Sequence, residues 1–296
     1  MMMGNLLFQA ILSGILLGMI YGLIGAGLNI IYGVMRVVNF AHGEFLMIAA
    51  YMVYWFSVLY RIDPLSSLLV IIPLFFLAGM VIYHLVVPRL LKSEDPEMAS
   101  FLTFYGISLV ITALVLIAWG ADPRGLRFPY GTPSLRMGPF YLSTGRVIHF
   151  VFSSITALAL ALFLYRTHLG KAIRAIIQNR DAVKIVGIDP NKISSVAFGI
   201  GLMLVGMTGA LIPLTFPGIT PGMGASYTLI AFVVIVLGGL GNPMGSVIGG
   251  LIFGLTENIS TLFLPLALSP VISFLILILI IMVRPQGFLA GTSTGT

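Results

Sequence analysis

The stretch RTHLGKAIRAIIQNRDAVKIVGIDPNK, residues 166–192, carries six Lys/Arg and two Asp between two apolar runs of membrane length. A plain connection between neighbouring helices needs only a few turn residues. This one is long enough to hold secondary structure outside a bilayer, and structure built there implies a partner there. From Leu169 onward, Ala172, Ile173, Ile176 and Ile177 recur at helical spacing, with Lys171, Arg174 and Gln178 on other faces, so a short amphipathic helix is expected. Asn179 and Asp181 can end it and cap a second helix through Ala182, Val183, Ile185 and Val186, which Gly187 and Pro190 close. The expected product is a helix pair with its apex at Asn179 to Asp181. An interfacial pair lying on lipid headgroups is the alternative, but the narrow apolar faces and the Asn-Arg-Asp apex favour a protein partner.

The flanking sequence sets the class. The chain has 296 residues, of which 59% are hydrophobic and 8% charged, with 34 Gly and 16 Pro. Soluble domains carry about 25% charged residues, so this is an integral membrane protein. Apolar runs lie at roughly 6–34, 43–60, 65–88, 99–119, 148–165, 193–214, 226–240, 245–264 and 268–283, each judged against about 20 residues per span. An all-α polytopic bundle of about eight to ten segments follows, read as a single domain over residues 1–296. The first run is long for one span and holds Gly14, Gly18, Gly22, Gly25 and Gly27, while 226–240 is short. Both are expected to be broken or re-entrant. The start, MMMGNLLFQA, lacks a basic region and a cleavage site, so the first run is expected to stay as a membrane helix.

Charge gives an orientation. Alternating spans put Arg36, Arg89, Lys92, the six island cations and Arg284 on one side, ten of the fifteen Lys/Arg. Arg61, Arg124, Arg127, Arg136 and Arg146 fall on the other. The positive-inside rule then puts the island and C-terminus in the cytoplasm and the 120–147 loop outside. The net charge of +6 is read as loop basicity, not as nucleic-acid binding. That outer loop, rich in Pro, Gly and aromatics, is expected to be irregular or partly hairpin, either capping the bundle or docking an external protein. Arg124, Arg127 and Arg136 could meet acidic groups there.

Polar groups at membrane depth are costly and therefore candidates for function. Asn39, His42 and Glu44 stand before the second run, either on a solute path or gate or, with Arg36, in a hydrogen-bonded cap. Gly241 and Asn242, within VLGGLGNPMGSVIGGLIFGL, mark a tight turn or a broken helix lining a cavity. An Asn shortly before a Gly at both junctions hints at an internal repeat. Glu257 is read as a helix-packing residue, protonated or bonded to Asn258, with ion coupling as the sharper alternative. Zero cysteines exclude disulfides and thiolate metal sites. No catalytic or phosphate-binding motif is present, so neither catalysis nor a bound cofactor or metal is expected in this chain.

The pattern Gly170-Lys171-Ala172-Ile173-Arg174-Ala175, then Asn179-Arg180-Asp181-Ala182 and Gly187-Ile188, resembles the coupling segment of branched-chain amino acid ABC-importer permeases. The blocks 28–51 and 236–250 resemble the LivH-type subunits of that family. The resemblance implies a second homologous permease subunit, two cytoplasmic ATPases that hold ATP and Mg, an external solute-binding protein, and a bacterial inner-membrane location. It also implies that Gly170, Lys171, Arg174, Asn179, Arg180, Asp181, Ala182, Gly187 and Ile188 form the ATPase-coupling surface. Permeases for urea or short amides are similar enough to stay open as alternatives. So do a secondary transporter coupled to protons through His42, Glu44 or Glu257, and a passive channel.

Overall fold

Met2–Met35 form one uninterrupted helix of 34 residues, α1. At 1.5 Å per residue this is about 50 Å long, well beyond the roughly 30 Å of a bilayer core. The break expected in this run is therefore absent. The segment holds no proline, and its glycines serve to let another helix approach, without unwinding their own. The structure, a computed structural model, describes residues 2–126, 128, 134–137 and 140–265, with Leu275, Ile278 and Met282. The expected ninth apolar run and Arg284 lie, but for those three residues, outside this range.

After α1 come α2 (His42–Tyr60), α3 (Pro64–Leu90) and α4 (Pro96–Trp119), then strands β1 (Ser134–Met137) and β2 (Phe140–Ser143) and helix α5 (Thr144–Arg166). The island follows as α6 (His168–Gln178) and α7 (Ala182–Ile185), and the chain continues with α8 (Pro190–Thr215), α9 (Met223–Gly238) and α10 (Pro243–Ser260). Four of these helices start at an Asx-Pro pair. The side chains of Asp63, Asp95, Asp189 and Asn242 accept from Leu65, Met98, Asn191 and Gly245 backbone N–H groups at 2.8, 3.0, 2.9 and 3.0 Å. Proline at the first helical position gives up no needed donor, and the Asx oxygen satisfies an orphan one.

Six helices, α1 to α5 and α8, are each long and apolar enough to cross a membrane. Helices α9 and α10 pass that test only as a pair, bent by 112° at the residues between them. This is the interruption expected from the short 226–240 run. Helix α8 lies deepest, with most of its length buried, whereas α4 buries only Ser100, Phe104, Ser108 and Val115.

The 120–147 loop is partly a hairpin, as its composition suggested: β1 and β2 pair antiparallel with Arg136 opposite Tyr141. It caps one end of α1. The Gln9 side-chain amide donates to the Tyr141 carbonyl at 2.7 Å and its oxygen accepts from the Tyr141 N–H at 3.2 Å, while Phe8 meets Phe140 at 4.6 Å between ring centres. The island lies at the opposite end, where Ile177 of α6 packs beside Gly33. The two polar loops thus mark the two faces of the bundle.

Helix α1 is seated on α10 through glycines from both sides. A Cβ added at Gly18 would stand 2.7 Å from the Leu251 Cα, and one at Gly254 would stand 2.5 Å from the Gly18 Cα. Small residues replace absent hydrophobic driving force with close backbone packing, as membrane helices require. We expect Gly18→Ala to lower the melting temperature of the detergent-purified protein, because overpacking costs about 1–3 kcal/mol. Gly106→Ala, whose added Cβ meets nothing within 4 Å, should not lower it, since alanine is the better helix former. Equal melting temperatures for both variants would contradict this packing.

Candidate functional site

The break between α9 and α10 is held by one side chain that sequence reading passed over. Asn29 is fully buried on α1. Its amide nitrogen donates to the carbonyls of Gly239 and Asn242, both at 2.9 Å, and to the Ser246 hydroxyl at 2.7 Å. Its amide oxygen accepts from the Gly241 N–H at 2.7 Å. The backbone at the break, which would otherwise face apolar surroundings with unpaired groups, is thereby satisfied. Gly239 and Gly241 adopt φ of 96° and 81°, a region that side chains with a Cβ rarely enter. An amide in the apolar run Leu28-Asn29-Ile30 was the available signal, since such a group must find partners somewhere.

The candidates before α2 occupy a second level. His42 Nε2–H donates to the Ile24 carbonyl at 3.1 Å. Ile24 lies five residues before Asn29, about 7.5 Å along α1. The Gly43 N–H donates to the Thr228 hydroxyl at 2.8 Å, and that hydroxyl donates to Glu44 Oε2 at 3.3 Å. A Cβ on Gly224 would meet the Glu44 Cδ at 3.1 Å. The start of α2 is therefore wedged against α1 and the start of α9. Asn39 is buried, and its amide nitrogen and oxygen and the His42 Nδ1 make no hydrogen bond in the described protein. Asn39, His42 and Glu44 thus form one group and Gly241 with Asn242 another, joined through α1 and α9. Only Asn242 caps a helix, so the two Asn junctions differ in what the side chain does.

Glu257 faces Tyr21 of α1 across the bundle. The expected partner Asn258 instead donates to the Gly254 carbonyl of its own helix at 2.9 Å.

The island folds as one real helix and one turn. In α6, Gly170, Ala172, Ile173 and Ile176 are buried. Gly170 makes the corner with α5, where a Cβ would collide with the Phe163 carbonyl. Arg174 folds back, its Nε donating to the Leu164 carbonyl at 3.0 Å and its guanidinium lying 4.5 Å from the Tyr165 ring. Lys171 is exposed. The Asn179 side-chain oxygen accepts from the N–H groups of Asp181 and Ala182, both at 3.0 Å. Arg180 donates to the Val34 carbonyl at 3.2 Å, tying the apex to the end of α1. Lys184 pairs with Asp181 at 2.7 Å and holds that exposed carboxyl below its usual range. Asp181 therefore stays charged at neutral pH, and the pair is lost only as pH falls through that lowered value.

The expected second helix is only the four residues of α7. Val183 is buried, but Ile185 and Val186 are 87% and 71% exposed. Gly187, at φ 78°, reverses the chain, and the Ile188 N–H returns to the Val183 carbonyl at 3.1 Å. At the other face, Arg124 is already used within the bundle. It donates to the Trp119 carbonyl at 2.6 Å and lies 5.5 and 5.3 Å from the Tyr54 and Trp55 rings. Arg127 lies outside the described residues.

Ile177 joins the island to the break. Its side chain stands 3.4 Å from where a Cβ would sit on either Gly33 or Gly241. We expect Asn29→Ala to loosen the break, since each orphaned buried polar group costs about 1–3 kcal/mol. A cysteine placed at Leu237, 1% exposed beside the break, should then react faster with a maleimide, and Asn29→Asp, which keeps the acceptor without the donors, should not restore protection. Unchanged labelling in both variants would contradict this role.

Comparison with known proteins agrees with this architecture. The branched-chain amino acid transport system / permease component family matches residues 10–281. The chain is 28% identical to the high-affinity branched-chain amino acid transport system permease protein BraD of Pseudomonas aeruginosa, over 95% of each chain. It is 27% identical to the permease protein LivH of Escherichia coli, over 95% of this chain and 94% of that one. The ribose import permease protein RbsC of Escherichia coli is 32% identical over 35% of this chain and 34% of its own. No solved structure is significantly similar. With a match over most of its length, this multi-pass chain belongs to the permease family of branched-chain amino acid transport systems.

Proposed function

We infer that this chain is a LivH-type half of an ATP-driven importer for leucine, isoleucine, valine or a related amino acid. It acts as a single permease domain beside a second homologous permease subunit, with the island and C-terminus in the cytoplasm. Two ATPases, which hold ATP and Mg, grip residues 170–188, and an external binding protein delivers the solute. The family match over residues 10–281 carries the importer reading, and its coupling part rests on Ile177, whose side chain stands 3.4 Å from where a Cβ would sit on either Gly33 or Gly241. A push on α6 slides Ile177 along the end of α1 and the glycine-rich break, a small shift of packed helices. Rigid movement of packed helices is an adequate transmission. Asn39, His42 and Glu44, wedged among α1, α2 and α9, are suited to gate a polar solute at the level above, and selection can reside in the binding protein.

Within the island, the residues divide by task. Ile185 and Val186 present exposed apolar surface at the tip, fit for burial in an ATPase groove. Arg180 ties that tip to Val34. Gly170 and Arg174 fix the corner with α5, and Asn179, Asp181, Lys184 and Gly187 shape the apex. Lys171 is left free for a charged partner.

In the reconstituted complex, we expect Ile185→Asp with Val186→Asp to abolish co-purification of the ATPases. Arg180→Ala should keep them bound while uptake per ATP hydrolysed falls at least about tenfold, the effect of about 1.4 kcal/mol in coupling. Uptake that persists in the double variant, or that collapses with an uncoupler at constant ATP, would overturn this reading.

A further inference from the structure

We propose that the cleft between the end of α1, the start of α4 and α6 binds the imported amino acid from the cytoplasmic side and slows further import. This rests on the function inferred above. The cleft holds about 330 Å³, within the size range of small-molecule sites. Its apolar part comes from Leu91, Ile176 and Ile177, and its charged part from Arg36, Glu97 and Arg180. An aliphatic side chain suits the first set. A zwitterion suits the second: guanidinium groups offer paired donors to a carboxylate, and a carboxylate accepts from an ammonium.

The arrangement of charges points to a ligand here. Neither Arg36 nor Glu97 makes an ion pair among the described residues, so opposite charges line one cleft without neutralising each other. Arg36 ends α1 in the left-handed conformation at φ 53°, a common helix ending that Arg61 also takes after α2. The Arg36 N–H is anchored on the Tyr32 carbonyl at 2.7 Å, and the Tyr32 side chain is near enough to feel both the Arg36 and the Glu97 charge. The two charges thus stand near one tyrosine. Arg180 joins them from the island, its guanidinium already oriented by Val34 and by Asn191.

The consequence follows from location. Ile177 lines this cleft and also the smaller one beside it that includes Leu240 and Gly241. A solute seated between Arg36, Glu97 and α6 wedges the island against α1 and holds the break in one position. Import then slows as the solute accumulates inside.

The test uses the full complex in proteoliposomes, with ATP-driven uptake of labelled L-leucine measured against increasing internal L-leucine. Internal leucine should inhibit, whereas N-acetyl-leucine and leucine amide, each lacking one charge, should not. Arg36→Gln and Glu97→Gln should each raise the internal concentration for half-inhibition at least about tenfold while initial uptake into empty vesicles stays within about twofold. Unshifted inhibition in both variants, or equal inhibition by N-acetyl-leucine, would overturn the proposal. Loss of uptake into empty vesicles with the complex intact would also overturn it, since the cleft would then belong to the path itself. If wild-type complex imports none of the three branched-chain amino acids, the function inferred above fails. Equilibrium dialysis of leucine against the purified complex without its binding protein, wild type against Arg36→Gln, then decides the cleft separately.

Discussion

A membrane helix can be interrupted only where the freed backbone groups find partners, and here those partners are supplied by Asn29. One amide binds three acceptors and one donor contributed by residues 239–246. That exchange lets α9 end and α10 begin inside the bundle with a 112° bend between them. The glycines follow from the same constraint. Gly239 and Gly241 take backbone angles open to few other residues, and Gly238 and Gly245 come so close that an added Cβ on either would collide with the other's backbone. Helix α1, fixed on α10 by its own glycines, carries the amide to the place where it is needed.

Around that point the two ends of the bundle are held by different contacts. The hairpin end is locked by Gln9, Phe8 and the aromatic nest about Arg124. The island end meets α1 through Ile177, set against two glycines, and through Arg180 on one carbonyl, while Gly170 and Arg174 hold it to α5. The tip is therefore joined both to α5 and, through Ile177, to the break. An arrangement of this kind suits a permease that is moved from outside, holding solute only in passing.

Much of this was legible in the chain. Period and caps located α6, the Asx-Pro pairs mark four helix starts, and composition announced an irregular or partly hairpin loop after residue 120. The resemblance carried by 170–188, 28–51 and 236–250 led to the family. Other features depend on contacts that periodicity does not record. Glycines in the first run read equally as breaks or as close packing, and only the facing glycines of α10 decide for packing. Val183 buries itself while Ile185 and Val186 point outward, because Gly187 turns the chain before a second helical turn forms. Glu257 finds Tyr21 across the bundle, not its neighbour Asn258. Asn29 was silent for the same reason: its four partners lie more than 200 residues away.

Movement of α6 relative to the break is the central claim, and the absence of native cysteine allows it to be tested directly. Cysteines at Ile177 and Leu240, which line the same small cleft, can be joined by a short bifunctional maleimide in the assembled transporter. The account predicts that uptake stops on cross-linking while the ATPases stay bound and continue to hydrolyse ATP, and that either single-cysteine variant is unaffected by the reagent. Full uptake in the cross-linked complex would contradict it.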